Sequence, residues 1–355
     1  MFEGRRIESF GILFVFVLGK SIRTYRKNQR GIFKKMEPVL VNQNQPIIIT
    51  CTIRKRLHGE IMFLCKSKTF WTAYAPAKLN LFFEVYGKRD DGFHEITSVA
   101  VPIRIFDTLI FEPTENEEID FSCQNGSADI PNNEDNLVIR AIRLLQKRTG
   151  VIRGAKIRLF KRIPSQAGLG GGSSNAAAAI QTARHVWNLK IPDEELIAIA
   201  AEIGSDCPVF FHRNASISHG RGERIRSIGL IPKLHFVILK PCEGLSTATV
   251  YNQCMPCHDR QFQYPEKLIA ELKQGDPVRI GRCFFNRLEI PAQTIWHRFD
   301  QIKKELEKFD CLTVRMSGSG TAFYGLCRND RHAKFVAGQL RQRVAKNDHI
   351  LVTSN

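Results

Sequence analysis

An α+β fold of two domains is what this sequence predicts, and three observations predict it. The chain has 355 residues, enough for two domains of ordinary size, each with a buried core. Strand-like and helix-like segments intermix along it without the strict alternation of a βαβ protein. Near its middle, a glycine-rich stretch at 168–172 joins an alternating segment to a helix of small residues. Apolar residues at 43% and charged residues at 25% are ordinary globular values, which exclude a chain disordered throughout or a fibrous one.

The first element in order is a basic prefix. Residues 1–70 hold 14 Lys/Arg and four acidic residues, a net +10, so only +7 of the chain's +17 is left to the other 285 residues. A nucleic-acid-binding surface would need its basic excess on the folded body, where +7 over 285 residues is modest. The apolar run FGILFVFVLG (10–19) is shorter than the roughly 20 residues of a bilayer-spanning helix, and no small-residue cleavage site follows it. A non-native leader, a membrane-surface or targeting segment and an ordered extra element all compete here. The reading adopted is a dispensable extension over 1–70, disordered or non-native, with Met36 and Met62 as possible later starts. No stable membrane insertion is expected.

From residue 70 the pattern becomes regular. FWTAYAP (70–76), LNLFFEVYG (79–87), VAVPIRI (99–105) and DTLIFEP (107–113) read as strands, with a polar turn at 87–92. The acidic stretch 114–134 reads as loop. Asn136 caps a predicted helix whose apolar positions Leu137, Val138, Ala141, Leu144 and Leu145 recur at helical spacing, ending at Gly150. AKIRLFKRI (155–163) alternates as a strand does, and helices are expected at about 172–188 and 192–204. HFVILKP (235–241) opens a second domain with helices near 247–254, 265–274 and 295–308. Strands at 311–318 and 323–327 and a last helix from about 330 complete it.

Ten cysteines without framework spacing read as reduced thiols of a cytoplasmic protein. Cys254, Cys257 and His258 form the C-x-x-C-H pattern of covalent haem attachment, or part of a zinc site. Haem attachment needs an exported, oxidising compartment and a distal ligand, so plain loop chemistry is the reading taken.

The strongest chemical signal is PSQAGLGGGSSN (164–175). Four glycines in five residues let backbone N–H groups approach an anion, and the helix behind them adds its positive end. It is neither a Walker A loop, lacking Gly-Lys-Ser/Thr, nor a dinucleotide fingerprint, since Ser173 stands where the third glycine should be. The loop resembles the second motif of the GHMP kinases, the superfamily of galactokinase, homoserine kinase and mevalonate kinase. PAKLNL (76–81) with GKRDDGFHE (87–95) is similar to the first motif of one branch, and MSGSG (316–320) to the third; EDNL (134–137) and IGSDCPVFF (203–211) agree in order.

The resemblance, from about residue 72 to about 345, implies a two-domain GHMP kinase fold with the active site in the cleft between domains. It also implies an ATP-binding domain at 71–230 and a C-terminal domain at 231–350. ATP would be the phosphoryl donor, with Mg2+, held by Pro164, Ser165, Gln166, Ala167, Gly168, Leu169, Gly170, Gly171, Gly172, Ser173 and Ser174 of the loop, and by Asn136, Leu137 and Lys161. Asp206 would take the proton of the acceptor hydroxyl and Lys78 would orient it. The branch that the first motif resembles acts on a cytidine diphosphate-linked methylerythritol, a small-molecule substrate phosphorylated at its 2-hydroxyl in the non-mevalonate isoprenoid pathway. His94 would read the nucleobase edge, Phe93 and Tyr251 would stack on its faces, and Asn80 and Thr247 would be polar contacts. Phe93 stands where that branch more often has Tyr, Gln166 where glycine is common, and Cys207 where an aliphatic is usual. Metal ligands and oligomeric state are not legible.

Overall fold

The computed structural model describes residues 63–67, 69–125, 130–212, 214–254 and 262–355, together with the backbone of strands within the prefix. Those prefix strands, β1 (Leu13–Leu18), β2 (Ser21–Lys27), β3 (Phe33–Val39) and β4 (Thr50–Cys51), form an antiparallel sheet in the order β3-β2-β1-β4. Apart from residues 63–67, 69 and 70, the rest of the extension lies outside the described residues, as do Cys257 and His258.

The second sheet is built on one long hairpin. Where the sequence predicts four strands, the chain makes two: β6 (Trp71–Lys88) and β7 (His94–Thr114). The breaks predicted at 77–78 and at 106 meet in one register shift, at Pro76/Ala77; two further shifts, at Asn80/Phe82 and Val85/Gly87, lie inside an expected strand. The first has a plain cause, since Pro76 has no N–H to donate to the ladder and a bulge absorbs the defect. β5 (Phe63–Lys66) lies along β6, so the paired sheet begins ahead of residue 71.

The stretch 114–134 is not all loop. β8 (Ile119–Gln124) runs parallel to β9 (Gly154–Phe160), which pairs with β7. Its alternation of Ile119, Phe121 and Cys123 with Asp120, Ser122 and Gln124 was legible, but the acidic residues before it masked the signal. On the same edge of β7, nearer its start, lies β10 (Ala215–Gly220), with β11 (Arg224–Gly229) paired beyond it; their small and polar residues gave no strand signal.

α1 (Leu137–Thr149) starts and stops where the sequence says. The Asn136 side chain accepts from Val138 N at 2.8 Å, and Gly150 takes the left-handed conformation at φ 67°. α2 (Gly171–Val186) and α3 (Asp193–Ile203) pack with α1 on the sheet around Leu109, Ile157 and Leu159. The run of alanines in α2 is fully buried, which lets that helix sit close to β6.

A third, antiparallel sheet has the order β14-β15-β12-β16, from β12 (His235–Lys240), β14 (Thr313–Met316), β15 (Phe323–Cys327) and β16 (His349–Ser354). The last strand runs beyond the boundary expected at 350. Around the sheet lie α4 (Thr247–Asn252), α5 (Glu266–Gln274), α6 (Pro277–Arg282), which the sequence did not suggest, and α9 (Asp330–Leu340). The helix expected over 295–308 is α8 (Phe299–Glu307), which starts later than expected because Trp296 is extended and turns its ring into the core; α7 (Glu289–Ile295), ahead of it, the sequence did not suggest. Leu79 and Val101 of the second sheet share one core with Phe236 and Tyr324 of the third, so the two sheets meet in a common apolar body. β13 (Phe285–Asn286) crosses over to pair with β6. Among the described residues no helix is long and apolar enough to cross a membrane.

Candidate active site

Three backbone segments converge over β6. The chain leaves β9, bends through the glycine loop and enters α2 at Gly170, whose φ of 69° turns the first helical N–H groups outward. Lys78 N, on β6, donates to Leu169 O at 3.0 Å and fixes the loop to the strand. The glycine turn at 316–320 closes onto the same loop: Ser317 Oγ donates to Gly168 O at 2.9 Å, and Thr321 N and Ala322 N donate to Gln166 O and Ala167 O at 3.3 Å each. Asn286, at the crossover strand, donates to Met316 O and Gly318 O at 2.8 Å each and holds that turn from beneath.

The glycines are required at particular points. A Cβ on Gly170 would lie 2.9 Å from the Phe210 ring and 3.0 Å from Lys78 Cγ. Gln166 itself sits at φ 49°, a conformation that favours glycine and fits the glycine common at this position; nothing in the structure explains the Gln.

A cavity of about 1040 Å³ opens between these segments. Its wall carries Pro164, Ser165, Gln166, Ala167, Gly168, Leu169, Gly170, Gly171, Gly172 and Ser173, together with Asn136, Leu137, Lys161, Lys78, Asp206, Phe93, His94, Thr247 and Tyr251. Two of the expected site residues stand behind the wall. Ser174 is 1% exposed within α2 and its Oγ has no partner, so direct contact with a nucleotide is not its position here. Asn80, 2% exposed, supports Lys78 rather than facing the cavity.

Lys78 and Asp206 form the charged centre, with Nζ and Oδ2 3.4 Å apart. The lysine is buried and donates also to Asn80 Oδ1, while the Asn80 amide donates to Ser98 Oγ at 2.7 Å. Tyr324 OH donates to Asn80 O at 2.7 Å, so the third sheet fixes the strand that carries the lysine. Asp206 precedes a short 3-10 turn (Cys207–Phe211), and its side chain makes no capping bond, which leaves the carboxylate facing the cavity. Burial pushes the neighbouring Cys207 thiol up to about 12, so no competing thiolate forms beside it.

Lys161 pairs with Asp107, a residue the sequence reading missed. Asp107 is fully buried and accepts also from Arg162 N at 2.7 Å and Ile163 N at 2.9 Å, so one carboxylate shapes the approach to the glycine loop and aims the lysine. An acid inside a strand gives no local sign of such a role.

At the far end of the cavity Phe93 is 47% exposed on the β6–β7 turn, and His94 opens β7 with its ring 5.1 Å from that of Tyr251 on α4. Burial first, and the charge of Lys88 second, pull the His94 imidazole below its ordinary value of 6.5, so it is neutral at pH 7. Thr247 Oγ1 lies 2.9 Å from Ser319 Oγ, which ties α4 to the third glycine turn. The wall also carries Arg221, which the sequence reading did not single out.

The comparisons with known proteins agree with the fold. Residues 136–214 match the GHMP kinases N terminal domain and residues 268–346 the GHMP kinases C terminal domain. The chain is 37% identical over 282 residues to the 4-diphosphocytidyl-2-C-methyl-D-erythritol kinase of Pelotomaculum thermopropionicum, covering 79% of this chain and 96% of that protein. It is 35% identical to the protein of the same name from Bacillus pumilus, covering 75% and 91%. A crystal structure of 4-(cytidine 5'-diphospho)-2C-methyl-D-erythritol kinase superimposes with a TM-score of 0.66 at 30% identity, over 80% of this chain and 99% of that one. Homoserine kinase from Cytophaga hutchinsonii shares the fold, with a TM-score of 0.63 at 16% identity. By fold, by the order of its motifs and by these identities, the chain belongs to the 4-diphosphocytidyl-2-C-methyl-D-erythritol kinase family of the GHMP kinases.

Proposed function

We infer that this chain is a kinase that transfers the γ-phosphoryl group of ATP to the 2-hydroxyl of 4-diphosphocytidyl-2-C-methyl-D-erythritol. One observation carries the reading: a single cavity holds a glycine loop at a helix N-terminus, a Lys–Asp pair and, at its other end, an imidazole flanked by aromatic rings. Phosphoryl transfer asks the protein mainly to hold donor and acceptor in line and to neutralise charge on the moving group. The loop N–H groups and the α2 dipole receive the triphosphate, with Lys161 beside them. Asp206 accepts the proton of the acceptor hydroxyl, and the Lys78 ammonium holds the carboxylate oriented and stands close to the developing charge. Mg2+ arrives with ATP in this reading: Ser173 Oγ offers a hard oxygen donor at the wall, and among the described residues no three His, Cys, Asp or Glu side chains group as a ligand set of their own. A cytoplasmic setting belongs to the reading and is supported by the eight cysteines described as free thiols.

His94, Phe93 and Tyr251 separate this substrate from homoserine and mevalonate, which offer no base to stack or read. Purified enzyme is expected to consume ATP in the presence of the cytidyl substrate and to leave homoserine and mevalonate untouched. Turnover of either alternative with none of the cytidyl compound would overturn the assignment.

The neutral state of His94 sets a pH expectation. With its folded value held below 6.5, the ring keeps one acceptor and one donor nitrogen throughout the neutral range. The KM for the cytidyl substrate is therefore expected to stay flat from about pH 8 to about pH 6.5 and to rise only below that, as protonation removes the acceptor. In His94→Gln the acid rise disappears. A KM that climbs between pH 8 and pH 7 in a His94-dependent way would show a raised value instead.

A further inference from the structure

Of the cations on the cavity wall, Lys78 is engaged by Asp206 and Lys161 by Asp107. Arg221 is different. Among the described residues no carboxylate forms an ion pair with its guanidinium, and the contact it makes is with an aromatic ring: Cζ lies 4.9 Å from the centroid of Phe93.

The turn that presents it is tightly built. Arg221 stands between β10 and β11, flanked by Gly220 at φ 74° and Gly222 at φ 114°. Arg221 N donates to Glu223 Oε2 at 2.7 Å, so the nearest acid in sequence is spent on the backbone of the turn. Glu95, the next candidate, is taken by Arg89 and Arg224. A Cβ on Gly222 would come within 3.0 Å of Ser205 O, which shows how closely the turn leans on the residue before Asp206. On its other side, β10 pairs with β7 through Gly220 and Ile96, two residues from His94. Arg221 therefore sits between the end of the cavity that carries Phe93 and His94 and the end that carries Asp206.

We propose that Arg221 binds the diphosphate of the substrate, a reading that rests on the cytidyl assignment above. A molecule with its base against Phe93 and His94 and its reacting hydroxyl at Asp206 must pass its diphosphate between them, where the unpaired guanidinium stands. A planar fork matches two phosphate oxygens at once, and its stacking on Phe93 holds the plane in readiness. One face of Phe93 is then covered by the arginine, and the other is left for the base.

The test compares wild type, Arg221→Gln and Arg221→Lys as full chains, with CDP and cytidine as binding probes and steady-state kinetics alongside. Arg221→Gln is expected to weaken CDP about tenfold or more while cytidine binding stays within about twofold, since a charge-assisted pair is lost and the base contacts are kept. The KM for the cytidyl substrate rises by a similar factor and the KM for ATP is unchanged; Arg221→Lys recovers part of the CDP affinity. Equal losses for CDP and cytidine would mean that the arginine only shapes the turn or Phe93, and a rise in the ATP KM alone would assign it to the triphosphate; either overturns the proposal. If wild type binds CDP and Arg221→Gln binds it as well, the proposal falls and the cytidyl assignment stands. If wild type neither binds CDP nor turns over the cytidyl substrate, the assignment itself falls and takes the proposal with it.

Discussion

Asp206→Ala is expected to lower kcat by at least about 10²-fold, the low end for a positioned general base, and to leave the fold intact. The second half of that expectation follows from the local structure. The Asp206 side chain is 43% exposed, caps no helix, and engages Lys78, so its removal frees no buried acceptor and opens no void. Lys78 loses one partner but keeps Asn80. Asp206→Asn is the sharper variant, because the amide keeps the size and one acceptor oxygen while giving up the capacity to hold the proton. It should fall nearly as far as Ala. KM for ATP should move little in either variant, since the loop that receives the triphosphate is anchored by Leu169 and Gly168, not by Asp206. The carboxylate and the ammonium act as one unit, so Lys78→Met combined with Asp206→Ala should cost little more than the worse single change. Steady-state kinetics with a thermal melt decides it: a loss in kcat of less than about tenfold, with the melt unchanged, would remove Asp206 from the role of base.

How much of this was legible in the sequence divides along a physical line. Local codes were read well. Asn136 and Gly150 bracket α1 because a cap and a left-handed stop each act within a turn of the backbone, and the glycine loop announced itself by composition. Codes that depend on pairing across the chain were read in part. Four strands were expected where β6 and β7 run unbroken, because bulges let a strand survive a proline; β8 went unseen behind the acidic residues before it, and β10 for want of a strong alternation. Partnerships between distant residues were not legible from composition or spacing. Nothing near Asp107 says that it will hold Lys161, nothing near Asn286 says that it will grip the 316–320 turn, and nothing in the β10–β11 turn marks Arg221. The Lys78–Asp206 pair, 128 residues apart in the chain, was expected only because whole motifs resembled those of a known family.

Gly168→Ala is expected to be the most damaging single methyl group that the active site could receive. The residue is at φ 71°, where an L side chain costs about 1–2 kcal/mol, and its Cβ would stand 1.8 Å from Ser317 O and 2.8 Å from Ser317 C. These are backbone atoms and cannot swing aside. The 316–320 turn must retreat, and with it go the Ser317 Oγ bond to Gly168 O and the grip of Thr321 N on Gln166 O. Adding an overpacking cost of about 1–3 kcal/mol gives a destabilisation of about 2–5 kcal/mol, read by denaturant unfolding, with ATP binding weakened because the loop has lost its backing. Gly172→Ala is the necessary contrast. That glycine lies in α2 without a positive φ, and its Cβ would meet only Leu137 Cδ1 at an ordinary 3.4 Å. Its fold should stay within about 1 kcal/mol of wild type, helped by the better helix propensity of alanine, and any loss should be confined to nucleotide affinity. The two glycines thus serve different ends: Gly168 permits one loop to lie against another, and Gly172 keeps the cavity wall bare where phosphate approaches. Equal stability of the two variants would show that the 316–320 turn yields to the added methyl, and that the tight apposition of the two loops is not what supports the phosphate site.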